Sequence, residues 1–347
     1  MDFTPTDEQA AARDLTARIF GDLSTHERLA AAGTGTDAEL WKALCAAGLP
    51  AAVADVGLLG LVLMLEEQGR TTAQVPFAAS CAYGLLAVDR HGTDEQRERL
   101  LPSLSDGTAV ATGAFAARGA IRADEEGRLT GTVTWVPWLR GATHVLVPDA
   151  DRGLWLVRAV DAETASVETT APWAAGRLVL DGARGERLGG DGAYEDVLAA
   201  ARIAFAGLQA GVCAGSLARA VAYTSVREQF GRPLSTKQAV QLRAADAYMD
   251  TEAIRVTAYE AAWRHDEGLP CATHALTAAW WASEAGRRVV HTGQHLHGGL
   301  GADLDHPVYR HFLWGRQLDA YLGCGSEVLA ELGDVIAFGA TEEGSGT

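Results

Sequence analysis

Positive charge is scarce in this chain of 347 residues: 29 Lys and Arg stand against 45 Asp and Glu, a formal net charge of −16. Without a basic run there is no counterion-releasing patch for nucleic acid and no footing on an anionic membrane surface. Cysteine is also scarce. Cys45, Cys81, Cys213, Cys271 and Cys324 are odd in number, and no C-x-x-C occurs. That usage fits reduced thiols and a cytoplasmic location better than a disulfide framework. Long hydrophobic runs are lacking as well. The longest, residues 56–65, meets Glu66 well short of the ~18 residues of a membrane span. The first residues are acidic, where a signal peptide would be basic. No internal repeat is visible.

What is present changes texture twice. Residues 1–109 carry helical patterns, with capping boxes at Thr6-x-x-Gln9 and Thr93-x-x-Gln96 and helices expected over 37–47, 56–67, 77–89 and 94–104. Residues 110–190 are rich in Val, Thr, Trp and Gly in short runs separated by turn residues, which predicts a small antiparallel sheet domain. Residues 191–338 are helical again, with expected helices near 196–228, 236–266, 270–297, 305–321 and 326–337. Residues 339–347 read as a disordered tail. The fold class is mainly α with a small β domain: an N-terminal helical domain, a middle antiparallel β domain and a C-terminal four-helix bundle.

Two stretches carry chemistry. Arg227-Glu228-Gln229-Phe230-Gly231-Arg232-Pro233-Leu234-Ser235-Thr236-Lys237-Gln238 joins two long helices. A cationic donor, a flat apolar face and an amide at a rigid corner suit a large anionic cofactor with an aromatic base. Each group also has a plain reading: a cation near a helix C-terminus, corner packing, and a capping box between Ser235 and Gln238. The second stretch is Gln294-His295-Leu296-His297-Gly298-Gly299-Leu300-Gly301, whose glycines let backbone amides approach a phosphate closely. It equally reads as a helix C-cap and a loop. No strand precedes it, so it is not a dinucleotide fingerprint. His291 and His295 have a metal-compatible spacing but no third ligand. Trp280, Trp281 and Trp314 read as core. Trp135, among strand residues beside Pro137 and Trp138, could lie in the core or against a flavin ring.

Helices, a β domain, then a helical block with Arg-x-x-Phe-Gly-x-Pro and His-Gly-Gly-x-Gly resembles the acyl-CoA dehydrogenase family. The resemblance covers essentially the whole chain and is most specific from Arg202 to Leu332. It implies FAD as cofactor and an acyl-CoA thioester as substrate. In that family a base removes the α-proton while the β-hydrogen leaves as hydride to the flavin. The resemblance implies that Arg227, Phe230 and Gln238 contact FAD in a neighbouring subunit, that Gly298 and Gly299 approach its adenosine end, and that His295 stands where glutamine is usual. It further implies that Trp135 lies against the flavin.

Departures from the family pattern are concentrated. The glutamate of a Tyr-Glu-Gly-Thr motif is matched by Leu322 in Tyr321-Leu322-Gly323-Cys324, and the alternative glutamate position by Ala201. Neither can take a proton, and loss of a positioned base costs about 10²–10⁴-fold. The loop usually reading Thr-Glu-Pro-Gly-Ala-Gly-Ser is Thr112-Gly113-Ala114-Phe115-Ala116-Ala117-Arg118, and Pro137 replaces a hydroxyl residue. Groups serving a neighbour's FAD are kept and groups serving the chain's own chemistry are lost. This resembles the base-less subunit of heteromeric (α₂β₂) steroid side-chain acyl-CoA dehydrogenases of actinobacteria. The implied partners are a catalytic dehydrogenase subunit and, as electron acceptor, an electron-transfer flavoprotein. A bulky acyl group is expected from the short 48–57 region. Two other readings stand beside it. One is a homo-oligomer using another base, such as Glu252, Glu260 or a histidine near His295; the other is a non-enzymatic scaffold or acyl-carrier-binding protein on the same fold.

Overall fold

Thr6, Thr25, Asp37 and Thr93 each accept a backbone N–H from the first turn of the helix that follows them. Such caps satisfy donors that an isolated helix start leaves open. In the computed structural model, which describes residues 2–116 and 119–343, these caps open α1 (Asp7–Leu23), α2 (His26–Ala32), α3 (Ala38–Ala46) and α7 (Asp94–Ser105). Thr6 and Thr93 form the two expected capping boxes with Gln9 and Gln96. Between them, α4 (Leu49–Thr71) is kinked at Gly57, which has φ of 69°. A helical run then passes from α5 (Phe77–Ala79) through a π-helical stretch, Ser80–Leu86, to α6 (Ala87–His91). Helix α2 and the π stretch were not expected.

The chain divides into two compact units, one of Pro5–Met64 with Ala73–Ala201, the other of Met1–Thr4, Leu65–Thr72 and Arg202–Thr347. The first holds the sheets. Strands β1 (Ala111–Gly113), β4 (His144–Pro148), β5 (Leu154–Arg158) and β8 (Glu186–Leu188) form one sheet in the order β1-β4-β5-β8. Strands β2 (Ile121–Ala123), β3 (Arg128–Val136), β7 (Gly176–Arg184) and β6 (Glu163–Ser166) form the other, ordered β2-β3-β7-β6. Every pair is antiparallel, as expected, except β1 with β4, which run parallel. Inward residues of both sheets share one core: Leu129 and Val133 of β3, Leu178 and Leu180 of β7, Val145 and Val147 of β4. Alternation of buried and exposed residues along β3 and β7 places those side chains inside.

The second unit is helical: most of α8 (Ala193–Val226), then α9 (Gln238–Asp266), α10 (Ala272–His297), α11 (Val308–Tyr321) and α12 (Gly325–Glu343). Ala210 and Cys213 of α8, Ile254 of α9, and Ala285 and Val289 of α10 form its core. The end of α4 lies against α8 at backbone distance. A Cβ on Gly69 would meet Leu208 O at 2.1 Å, and one on Gly211 would meet Glu66 O at 1.9 Å. Gly211→Ala should therefore push the helices apart and lower stability by about 1–3 kcal/mol, the usual cost of overpacking. A urea unfolding curve reads this as a lower midpoint at unchanged slope. An unchanged midpoint would show that the crossing yields freely.

Four expectations need correction. Two helices, Leu49–Thr71 and Ala193–Val226, are long and apolar enough by composition to cross a membrane, although the sequence pattern promised none. Their most apolar windows are 72% and 89% buried within the protein, which is how core helices behave. The capping box expected between Ser235 and Gln238 does not form. The residue before α9 is Lys237, without a side-chain cap, and the Ser235 carbonyl instead accepts from Gln241 Nε2 at 3.0 Å. Ser326, where the last helix was expected to begin, lies inside it, and Glu327 reaches back to the Cys324 N–H at 3.1 Å. That helix continues to Glu343, so the tail expected over 339–347 leaves only 344–347, which lie outside the described residues.

Candidate functional site

The corner between α8 and α9 is a tight hairpin. β9 (Glu228–Gln229) pairs antiparallel with β10 (Arg232–Pro233), joined by Phe230 and Gly231. Both turn residues have positive φ, 58° and 75°. Two left-handed residues are what a two-residue type I′ turn requires. Glycine adopts this readily, whereas a bulky phenylalanine is strained there by about 1–3 kcal/mol. Phe230 is also 93% exposed. Among the described residues, neither strain nor exposure is repaid by packing; the Lys237 ammonium stands over the ring, 4.5 Å from its centroid. Arg227 and Gln238 are exposed on either side of the hairpin. The absent capping box leaves the Gln238 amide uncommitted to the helix start.

One aromatic contact ties this corner to the glycine loop. Tyr223, one turn before Arg227, stacks on His297 at 4.9 Å and 20°. His297 ends α10, and Gly298 caps it with φ of 61° while its N–H donates to His295 O. Gly298 and Gly299 are exposed, with no heavy atom within 4 Å of where a Cβ would stand. Their backbone is open to a ligand. His295 is exposed beside them. His291, its expected metal-spaced neighbour, lies edge-on to Phe312 at 4.9 Å. Burial and the Arg219 charge hold His297 below the usual imidazole range, and its Nδ1 bonds Gly293 O at 2.7 Å.

The matched base position lies elsewhere in the same unit. Leu322 ends α11 and borders a small cavity of about 20 Å³. Arg202, Phe205 and Gln209 of α8 form one wall, and Tyr321, Leu322 and Gly323 another. Phe205 and Tyr321 meet edge-on at 4.7 Å. Among the described residues, no carboxylate lines the pocket. Glu331 of α12 approaches it only through Arg202, taking both terminal guanidinium nitrogens at 2.8 and 2.7 Å. Ala201 is fully buried. Neither glutamate weighed as an alternative base lines the pocket. Glu252 is ion-paired with Arg255, and Glu260 faces His274 at 3.4 Å.

Trp135 belongs to the other unit. It is half-buried on β3, next to a register shift between Val133 and Val136 that re-aims the strand. Nearby, the Thr112 hydroxyl donates to Pro137 O at 2.5 Å. Phe115 is buried and stacked between Tyr83, at 5.0 Å, and Tyr194, at 5.9 Å. Ala117 and Arg118, the end of the expected flavin loop, lie outside the described residues.

Sequence reasoning passed over two buried polar centres. Glu66, noted only as the end of an apolar run, accepts from Arg255 at 2.5 Å, Tyr259 at 2.7 Å and Arg70 at 3.1 Å. Its signal was a carboxylate in an otherwise apolar helix. His311 was also missed. It is buried against Gly215 and bonds Arg70 O at 3.0 Å, and burial with the Arg219 charge pushes its pKa down to about 4. The unfolded histidine keeps the usual 6.5, so between pH 6.5 and about 4 the unfolded state binds the extra proton. Stability is then full above pH 6.5 and falls as pH drops through that window, by up to about 1.4 kcal/mol per unit from this group. Urea midpoints for wild type and His311→Asn at pH 7 and pH 4.5 read it: the wild type should lose the larger share of its stability. Equal losses would assign the acid sensitivity elsewhere.

Comparison with known proteins accords with this geometry. Residues 190–332 match the model for the acyl-CoA dehydrogenase C-terminal domain, and residues 6–108 that for the N-terminal domain. Acyl-CoA dehydrogenase FadE27 of Mycobacterium tuberculosis is 33% identical over 369 residues, covering 97% of this chain and 99% of that protein. A variant of the Tcur3481-Tcur3483 steroid ACAD superposes with a TM-score of 0.92 at 41% identity, over 96% of this chain and 99% of that one. The ChsE4-ChsE5 complex from Mycobacterium tuberculosis follows with a TM-score of 0.91 at 32% identity, over 97% and 99%. Butyryl-CoA dehydrogenase of Megasphaera elsdenii, at 22% identity over 97% and 100%, shares the fold with a TM-score of 0.86. With two family domains matched in order and full-length relatives on both counts, this chain belongs to the acyl-CoA dehydrogenase family, whose cofactor is FAD.

Proposed function

We propose that this chain is the base-less subunit of a heteromeric FAD-dependent acyl-CoA dehydrogenase that desaturates an acyl-CoA between its α and β carbons. A partner dehydrogenase subunit carries the catalytic glutamate in an α₂β₂ assembly, and an electron-transfer flavoprotein takes the electrons. The carrying observation is the pocket at Leu322, whose lining offers no group able to accept an α-proton. FAD, when bound, supplies the hydride acceptor.

The chain's own residues fit one end of that cofactor and not the other. Arg227, Phe230, Gln238, His295, Gly298 and Gly299 form an exposed, positively charged and amide-rich edge, suited to the pyrophosphate and adenine of a FAD held in a neighbouring subunit. At the ring end, the Thr112 hydroxyl is spent on Pro137 O, and Phe115 is locked into an aromatic stack. Trp135, half-buried on β3, is the residue assigned in this reading to the flavin ring. Two similar solved structures are named as paired proteins, Tcur3481-Tcur3483 and ChsE4-ChsE5, and the first is called a steroid ACAD. A bulky steroid side-chain acyl-CoA is accordingly the proposed substrate class.

The experiment is co-expression with a candidate partner subunit, followed by FAD content and turnover of complex and separated chains. Activity confined to the complex supports the proposal. Robust turnover by this chain alone refutes it and returns the homo-oligomeric reading.

A further inference from the structure

His297 joins the two stretches of the exposed edge, and it does so without a charge. It is 3% exposed at the end of α10, directly before Gly298. Gly215, Arg219 and Tyr223 of α8, with Arg227 just beyond it, recur every four residues and so share one face. That face meets α10 and α11 closely. A Cβ on Gly215 would stand 2.5 Å from His311 Nε2, and one on Gly293 2.0 Å from Ser216 Oγ. Two turns after Gly215, Tyr223 carries the His297 ring in its stack. His306, ahead of α11, packs on the same imidazole at 4.9 Å and 54°. His297 Nδ1 faces Gly293 O, and a carbonyl only accepts, so Nδ1 holds the hydrogen. Nε2 is buried without a hydrogen-bond partner among the described residues, and is the bare nitrogen of a neutral ring. A proton there would make a buried donor with no acceptor, facing the charge of Arg219. Tyr223 and His306 are the other titratable groups against the ring, and neither is an acid that would welcome a cation at neutral pH.

We propose that His297 is a positioning residue whose neutral ring latches the Gly298–Gly299 loop to α8 beside Arg227, and that a proton on Nε2 opens the latch. The latch sets the spacing between the glycine backbone and the Arg227 corner, so it acts on whatever both grip. That this is the adenosine and diphosphate end of a FAD rests on the function proposed above. Burial first, and then Arg219, hold the docked imidazole below the ordinary 6.5 that an opened ring regains. Above pH 6.5 both forms are neutral and the latch keeps its full strength. As pH falls below 6.5 the opened form takes up the extra proton, and opening grows by up to about tenfold per pH unit until the lowered value is reached.

Amide hydrogen exchange over residues 294–301 of the full chain, at pH 7.5 and 5.5 and corrected for intrinsic rates, tests it. Wild-type protection should fall about 3- to 10-fold at the lower pH. His297→Phe keeps a ring for Tyr223 but cannot take a proton, so its protection should stay constant. Tyr223→Leu removes the stack and should exchange fast at both pH values. Wild-type protection that does not fall would overturn the proposal, even if a variant fails to fold. So would an equal fall in His297→Phe, which would assign the response to another group such as His295 or His306. FAD release from the assembled enzyme, followed by flavin fluorescence at the same pH values, should quicken in step. If exchange responds and FAD release does not, the latch stands and the shared-cofactor reading loses the glycine loop.

Discussion

Arg227→Ala in the assembled enzyme should weaken FAD binding by about 10- to 100-fold, the equivalent of the roughly 1.5–3 kcal/mol carried by a hydrogen bond to a charged group. The thermal midpoint of this chain should hardly move. Arg227 is exposed, and no ion pair or side-chain bond ties it to the chain among the described residues. Its N–H closes the last turn of α8 on Tyr223 O, and its carbonyl accepts from Leu234, so the hairpin survives loss of the side chain. Arg227→Lys should recover part of the affinity, since an ammonium keeps the charge but lacks the planar fork that grips a diphosphate. FAD titration of the stripped complex, followed by flavin fluorescence, gives the number. Unchanged affinity in Arg227→Ala would remove the corner from the cofactor site.

The second large effect is structural. Glu331→Ala should lower stability by about 2–4 kcal/mol, toward the lower end of the range for breaking a buried pair, because it strands the Arg202 guanidinium. The Arg202 side chain is only 4% exposed, while that of Glu331 is 34% exposed, so the desolvation penalty falls almost wholly on the arginine. Arg202→Met with Glu331→Leu should restore most of the loss, because removing both charges removes the penalty along with the attraction. Urea unfolding of the two single variants and the double variant completes the cycle. A double variant as unstable as Glu331→Ala would mean that packing, not the stranded charge, sets the cost.

What the sequence made legible follows from how local each signal is. Capping boxes at Thr6 and Thr93 specify helix starts within four residues, and both form. The small sheet domain expected over 110–190 forms as well, since period-two burial in runs such as 176–184 needs only neighbours to recognise. The same local rule failed at Ser235, where Ser-x-x-Gln matches a capping box but the hairpin geometry of Phe230 and Gly231 places Lys237 before the helix instead. The short edge strands β1, β2 and β8 were missed because three residues carry no period.

The site shows the same division. Arg227, Phe230, Gln238 and the glycine pair stand out as a motif, and Leu322 stands out as a departure from one. Gln209 and the Arg202–Glu331 pair did not, because what makes them unusual is an unmet hydrogen bond and a contact across 129 residues. Only folding brings those out. The strain at Phe230 belongs to the same class: a positive φ cannot be read from the letters, yet it is the best physical sign that the corner is held for something outside the chain.

The shared-cofactor reading is tested most directly by one visible spectrum, taken on this chain co-purified with its partner subunit and again on this chain alone. The expected result is a yellow complex with about one FAD per pair of chains and a colourless, inactive chain alone. A yellow homo-oligomer with one FAD per chain would contradict it, and the base would then have to be found among this chain's own residues.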